Sequence, residues 1–253
     1  KRRMKVRQGA LEEALSGLDY GAGVRLFFGT EVVYAYTNDL TQEGLMEALE
    51  TLLRAKGALG KVDEGGKGGL DFRKATPKGL HAPKVPYGEK DKRYRLERLL
   101  EAEAGARIAP AIKQVEASLL EWEEEVLVAN TEGVFAEEKR VRTRLFVLAV
   151  AQDGAEVQTG YSAPGKSVGL ELFDLYPPKA VGEKAARQAL TNLKARPAPA
   201  GTFPVVVGPG FGGVLFHEAV GHLLETTSVA RKASVRADKL GEVVASPAVT
   251  YID

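Results

Sequence analysis

The sequence contains no cysteine among its 253 residues. This absence excludes disulfide bonds and thiolate metal ligands within the chain, and it favours a reducing compartment, for which we expect the cytoplasm. Histidine is also scarce, because the chain has only three. A metal site built on imidazole nitrogens therefore has few candidate ligands.

The sequence also lacks a long apolar run and an excess of either charge. No stretch approaches the roughly 18 consecutive apolar residues of a membrane span, and we expect no signal peptide. Since the first residue is Lys1, we expect the natural start to lie upstream. The 35 basic and 34 acidic residues offer no field for nucleic acid or an anionic membrane. The basic start, Lys1-Arg2-Arg3, is predicted to be the solvated face of an edge strand.

Stretches rich in Gly, Pro and Lys divide the chain into four predicted segments. We expect an N-terminal α+β domain at 1–60, a loop at 61–92, a middle domain of antiparallel sheet and helices at 93–198, and the start of a β-rich C-terminal domain at 199–253. Strands and helices follow one another without regular βαβ alternation. This order indicates an α+β fold.

The first segment has the clearest local signals. Aromatic and β-branched runs at 24–28 and 32–37 flank Gly29-Thr30 and predict a hairpin. Thr41 is the expected N-cap of a helix that ends near Gly57.

Further along, the apolar periodicity predicts a helix at 89–104 and another after Pro177-Pro178. An antiparallel meander is expected from strands at 115–122, 125–129, 135–152 and 155–161, followed later by short strands at 203–207, 242–245 and 248–252.

The strongest chemical signal is the run Phe216-His217-Glu218-Ala219-Val220-Gly221-His222. Two neutral imidazoles can hold zinc, and a carboxylate beside them can take a proton from water that the metal has acidified. We therefore predict that His217 and His222 bind the metal and that Glu218 is the catalytic residue. The alternative is an amphipathic helix whose histidines are satisfied by neighbouring polar groups.

The spacing His-Glu-x-x-x-His is one residue longer than the usual zinc-peptidase signature. On a straight helix, residues five apart point about 140° away from each other. Both rings can face one ion if a π-turn absorbs the extra residue, and Gly221 is where the backbone yields most easily. On an unbroken helix, Glu218, His222 and Glu225 share a face instead, and His217 turns away. The third histidine, His81, is predicted to be exposed and not a ligand.

The residues leave other functions open. The glycine run at 208–213 fits the dinucleotide pattern Gly-x-Gly-x-x-Gly, although no acidic residue ends a second parallel strand at the expected distance. A non-catalytic subunit that binds peptides by adding a strand to an exposed sheet edge is the second alternative. Nucleic-acid binding is disfavoured by the balanced charge and the lack of a basic recognition helix.

Four stretches of the chain resemble one known family. The motif Leu215-Phe216-His217-Glu218-Ala219-Val220-Gly221-His222, followed by Leu224-Glu225, looks like the signature of the TldD/PmbA metallopeptidases, which were once described as modulators of DNA gyrase. The lead-in Pro199-Ala200-Gly201-Thr202-Phe203-Pro204-Val205-Val206 and the segment Gly241-Glu242-Val243-Val244-Ala245-Ser246 are similar to the family's flanking segments, as is 21–39. The resemblance extends over essentially the whole chain.

The resemblance implies a cytosolic, zinc-dependent peptidase that cleaves peptides or unfolded segments and works as a homodimer or as a heterodimer with a related subunit. By position, His217 and His222 would bind Zn²⁺, and Glu218 would be the general base. Family members are nearly twice as long and take a third zinc ligand, a cysteine, from their C-terminal part. This chain therefore resembles an N-terminal half, in which Glu225 or a water is a candidate for the third position.

Overall fold

The structure is a computed structural model that describes residues 1–58, 71–75, 82–208 and 210–250. His81, Pro209 and the predicted strand end at Ile252 lie outside the described residues. The chain divides into two compact units, Lys1–Tyr20 with Asp63–Ala198, and Gly21–Val62 with Pro199–Asp253. None of the helices in the described part of the chain is both long and apolar enough to cross a lipid bilayer.

The chain forms strands and helices in an α+β arrangement, as predicted. The strands are β1 (Arg2–Arg7), β2 (Ala10–Ser16), β3 (Ala22–Phe28), β4 (Glu31–Thr37), β5 (Arg73–Ala75), β6 (Ile112–Ala129), β7 (Val134–Asp153), β8 (Glu156–Ser162) and β9 (Gly165–Lys166). The helices are α1 (Gln42–Ala55), α2 (Lys92–Gly105), α3 (Leu172–Leu175), α4 (Pro178–Leu193), α5 (Gly212–Ala219) and α6 (Thr226–Ala230), with 3₁₀ turns at Tyr87–Glu89 and Gly221–Leu224.

The first unit is built on one sheet with the order β2-β1-β6-β7. β5, β8 and β9 all pair with β7, and β6, β7 and β8 form the predicted antiparallel meander. The predicted edge position of the basic N-terminal strand is wrong, because β1 pairs with β2 on one side and β6 on the other. Its charges are matched by acidic side chains of those neighbours, as in the ion pairs Arg3–Glu13 and Arg7–Glu116.

β6 is one continuous strand, whereas its sequence predicts two. The acidic run Glu123-Glu124-Glu125 lowers local strand propensity, yet it pairs with β7 without interruption. Nζ of Lys139, on β7, lies 2.6 Å from Oε1 of Glu123, and its positive charge balances part of the negative charge of the acidic run. The segment predicted as a long loop also contains β5, which pairs in parallel with the start of β7.

The core of this unit lies between the sheet and helices α2 and α4. Small residues allow the two helices to approach closely: a Cβ atom built on Gly182 would lie 2.0 Å from the carbonyl oxygen of Ala102, and one built on Gly105 would lie 2.4 Å from that of Lys179. The fully buried side chains of largest volume include Leu99, Leu119, Leu145, Leu170 and Leu172. α2 begins three residues later than predicted, because Asp91 caps it by accepting a hydrogen bond from the Tyr94 amide.

In the second unit, β3 and β4 form the predicted hairpin. Thr41 caps α1, as predicted, by accepting a hydrogen bond from the Gly44 amide at 3.1 Å. The strands predicted at 203–207 and 242–245 are wrong, and so is the described part of 248–252. No strand of the described residues pairs with these stretches, and an apolar segment without a partner strand cannot form ladder hydrogen bonds.

Candidate metal centre

The predicted motif helix ends inside the motif. α5 runs from Gly212 to Ala219, and Val220 then leaves helical geometry with φ −132° and ψ −40°. A 3₁₀ turn, Gly221–Leu224, follows at once and carries the second histidine. The chain thus forms neither of the two arrangements considered for this spacing, a π-turn or an unbroken helix, because the backbone leaves helical geometry at Val220.

This break brings the predicted site residues together. The ring centroids of His217 and His222 lie 4.4 Å apart, with their planes at 65°. One possible ligand atom from each of His217, Glu218 and His222 lies within 4.8 Å of the others. Among the residues that the structure describes, these three side chains form the one group of histidine and acidic residues whose possible ligand atoms lie close enough together to share a metal ion.

The donor set suits a divalent metal. Zinc lies about 2.0–2.2 Å from imidazole nitrogens and carboxylate oxygens, so its tetrahedral ligands stand roughly 3–4 Å apart. The three side chains are exposed, so small rotations can bring their atoms to that spacing. The residues present therefore fit a zinc site with two imidazoles and a nearby carboxylate. That they bind a metal, and which metal, stays a prediction.

Glu225, which the sequence offered as a candidate third metal ligand, contacts the ring of His222 instead. Its Oε1 lies 2.7 Å from Nδ1 of His222, while Oε2 of Glu218 lies 3.5 Å from Nε2 of the same ring. The hydrogen bond that Glu225 accepts from His222, together with the charges of Glu225 and Glu218, raises the pKa of His222 above its ordinary value. Glu225 thus contacts the side of the ring opposite to Glu218.

Ser234 also supports the site, although it lies in a stretch whose polar composition gives no such signal. Its Oγ donates a hydrogen bond of 2.6 Å to the carbonyl oxygen of Leu223, in the 3₁₀ turn that carries His222. The Arg236 amide in turn donates to Ser234 Oγ. Ser234, eleven positions after Leu223, thereby helps to fix the conformation of this turn.

The glycine run ahead of α5 does not have the context of a dinucleotide site. Gly210 adopts φ +93°, a conformation that favours glycine. However, the described residues 203–207 form no strand, and a dinucleotide fingerprint requires one directly before its glycines. Gly208 and Gly210 therefore lie in irregular backbone ahead of the helix that carries His217, and Gly212 and Gly213 are its first two residues.

Comparison with known proteins matches the chain over three consecutive family models. The PmbA/TldA metallopeptidase domain 1 matches residues 1–56, the central domain matches 83–193, and the C-terminal domain matches 200–253. The metalloprotease TldD homologue of Haemophilus influenzae is 33% identical, with 97% of this chain and 52% of the relative covered. A metalloprotease of Methanothermobacter thermautotrophicus is 30% identical over 98% of this chain and 53% of its own length.

Solved structures show the same fold. A protein of Thermotoga maritima, described as a modulator of DNA gyrase, gives a TM-score of 0.70 at 19% identity and covers 98% of this chain and 55% of its own. TldE from Thermococcus kodakarensis gives 0.57 at 16% identity, with 94% and 53% covered. The chain thus spans about half the length of the relatives it matches.

Proposed function

Because the chain belongs to the PmbA/TldD metallopeptidase family, we propose that it is the part of a zinc-dependent peptidase that carries the metal-binding motif. The observation that carries this proposal is the grouping of His217, Glu218 and His222 within 4.8 Å in spite of their spacing. The substrates we propose are peptides and unfolded segments of proteins.

Each residue has a separate role in this proposal. His217 and His222 would hold the ion through ring nitrogens. A bound zinc ion supplies Lewis acidity, which acidifies water and polarises a scissile carbonyl. Glu218, whose carboxylate is exposed beside both rings, accepts a proton from the attacking water and passes it to the leaving amine. Glu218 is therefore the proposed catalytic residue.

Several properties of the whole protein are also proposals. We propose a third metal ligand from outside this chain, since the chain covers about half of its relatives and has no cysteine. A homodimer or a heterodimer with a related subunit, and a cytoplasmic location, follow from the family resemblance. Size-exclusion chromatography with light scattering tests the assembly.

The decisive experiment compares the full-length protein with its Glu218→Gln variant. We expect elemental analysis to find zinc in both, whereas cleavage of an unfolded polypeptide such as casein falls about 10²–10⁴-fold in the variant, since general-base catalysis contributes that much. Glu242→Gln is the matched control, because Glu242 is also exposed but pairs with Lys239 instead of the histidines. Unchanged cleavage by Glu218→Gln would refute the assigned role.

A non-catalytic peptide-binding subunit is the remaining alternative. It predicts that the full-length protein binds unfolded polypeptide but holds no stoichiometric zinc and cleaves nothing. Zinc content and cleavage, measured on one preparation, separate the two functions.

A further inference from the structure

The imidazole of His222 is held by acidic side chains on two sides. Nδ1 lies 2.7 Å from Oε1 of Glu225, and Nε2 lies 3.5 Å from Oε2 of Glu218. A neutral imidazole has one nitrogen that donates and one that accepts. The hydrogen bond at Nδ1 therefore decides which nitrogen has a free lone pair.

We propose that Glu225 is a positioning residue, which fixes His222 in the tautomer protonated on Nδ1 and turns Nε2 towards His217 and Glu218. This inference rests on the proposed function, since it concerns the same metal centre. Metal-binding histidines usually donate their other ring N–H to a carboxylate or a carbonyl group, which sets the tautomer and makes the ligating nitrogen more basic. The contact between Glu225 and His222 has this arrangement.

The backbone holds Glu225 in place for this role. It directly follows the 3₁₀ turn Gly221–Leu224 and directly precedes α6, and its carbonyl oxygen accepts a hydrogen bond from the Val229 amide at 3.0 Å. On its other side, Ser234 bonds to Leu223 within the turn. The short segment that contains His222 and Glu225 is thus held by hydrogen bonds at Leu223 and at Glu225 itself.

The same geometry argues against Glu225 as a direct ligand. Its Oε1 is engaged by Nδ1 of His222, whereas Glu218 lies nearest to Nε2, the other ring nitrogen. Within the described residues, the group able to share one ion comprises His217, Glu218 and His222 and does not include Glu225. Glu225 therefore acts on the metal through His222.

Zinc affinity of the full-length protein tests the inference, measured by competition with a chromophoric chelator. We expect Glu225→Ala to weaken zinc binding about 10–100-fold, the usual effect of losing such a partner. Glu225→Gln should retain much more of the affinity than Glu225→Ala, because its amide oxygen still accepts the Nδ1 proton. Glu242→Gln changes an exposed carboxylate that pairs with Lys239, and this variant should bind zinc like the wild type.

A second readout reports the tautomer directly. Nitrogen-15 shifts of labelled histidine in the metal-free protein at about pH 9, where ordinary imidazoles are neutral, should show His222 protonated on Nδ1 in the wild type and in Glu225→Gln. In Glu225→Ala the proton should move largely to Nε2. Equal zinc affinity in the wild type and Glu225→Ala, or protonation of wild-type His222 on Nε2, would overturn the inference alone. A wild-type protein that binds no zinc would overturn the proposed function and this inference with it.

Discussion

His217 and His222 have ring centroids 4.4 Å apart although they lie five positions apart in the sequence. The cause is the break at Val220, where α5 ends and a tighter 3₁₀ turn begins. Helical winding alone would not pair the rings, since five steps of about 100° (α-helix) or 120° (3₁₀ helix) leave the two side chains at least about 120° apart. The non-helical conformation of Val220 therefore redirects the chain between the two histidines and brings their rings together.

Insertion of one alanine between Val220 and Gly221 should destroy this pairing. The added residue rotates the following turn by roughly 100–120° and moves His222 away from His217. We expect zinc affinity to fall at least about 100-fold, comparable to the loss of a ligand's positioning partner or greater. An alanine inserted between Pro199 and Ala200, ahead of the motif, is the control. Zinc titration of both variants provides the measurement, and unchanged binding after the first insertion would show that the break does not position His222.

The buried ion pair Arg95–Glu121 should stabilise the first unit only as an intact pair. Nε of Arg95 lies 2.5 Å from Oε1 of Glu121, and the two side chains are 7% and 2% exposed. Arg95 also donates to the carbonyl oxygen of Tyr87 at 2.7 Å. Replacing Arg95 with methionine leaves a buried carboxylate poorly compensated, which typically costs about 3–5 kcal/mol.

Urea unfolding followed by circular dichroism measures this cost. The control is Arg93→Gln, since Arg93 forms an exposed pair with Glu97 on the same helix and exposed pairs contribute about 0.3–0.5 kcal/mol. The double variant Arg95→Met with Glu121→Leu should recover part of the lost stability, because it removes both charges. An Arg95→Met protein as stable as Arg93→Gln would contradict this account.

The close crossing of α2 and α4 should not tolerate a methyl group. A Cβ at position 182 would lie 2.0 Å from the carbonyl oxygen of Ala102, so Gly182→Ala forces the helices apart and should cost about 1–3 kcal/mol. At Gly88 a Cβ would meet nothing within 4 Å, and Gly88→Ala is the matched control. Thermal and urea unfolding of both variants decide the point, and equal stability would show that the backbone relaxes without cost.

Acid should selectively weaken the segment anchored by Glu171. Burial raises the pKa of this carboxyl group, but hydrogen bonds from backbone amides, including those of Lys84 and Val85 at 2.9 and 3.0 Å, outweigh burial and leave the pKa below its ordinary value. A lowered pKa in the folded state contributes stability that is present above the unfolded pKa, about 4.3 for glutamate. This contribution is lost as the pH falls through the folded pKa.

Glu171→Gln removes that titration. The variant should be less stable than the wild type near neutral pH, and the difference should shrink as the pH falls below about 4. Urea unfolding across this pH range measures it. A difference that is independent of pH would mean that the carboxylate charge does not stabilise the segment.

Local patterns predicted those parts of the fold that depend on neighbours in the sequence. The hairpin around Gly29 and the helix capped by Thr41 follow from residues a few positions apart, and both predictions are confirmed. The prediction at 203–207 is wrong, because an apolar run becomes a strand only if another strand lies beside it. The interior position of β1 could not be predicted from local patterns either, because β1 pairs with the distant β6 as well as with β2.

The sequence by itself determined the chemistry of the candidate site, because residue type decides which side chains can bind a metal or move a proton. His217, Glu218 and His222 could be proposed as metal ligands and general base from their residue types and spacing. Only the tertiary structure decided how that spacing is accommodated: the backbone leaves the α-helix at Val220, and Ser234 and α6 hold the next turn in place. Glu225 gained its position beside Nδ1 of His222 by the same route, because the direction of a side chain depends on the backbone conformation that packing and hydrogen bonds impose.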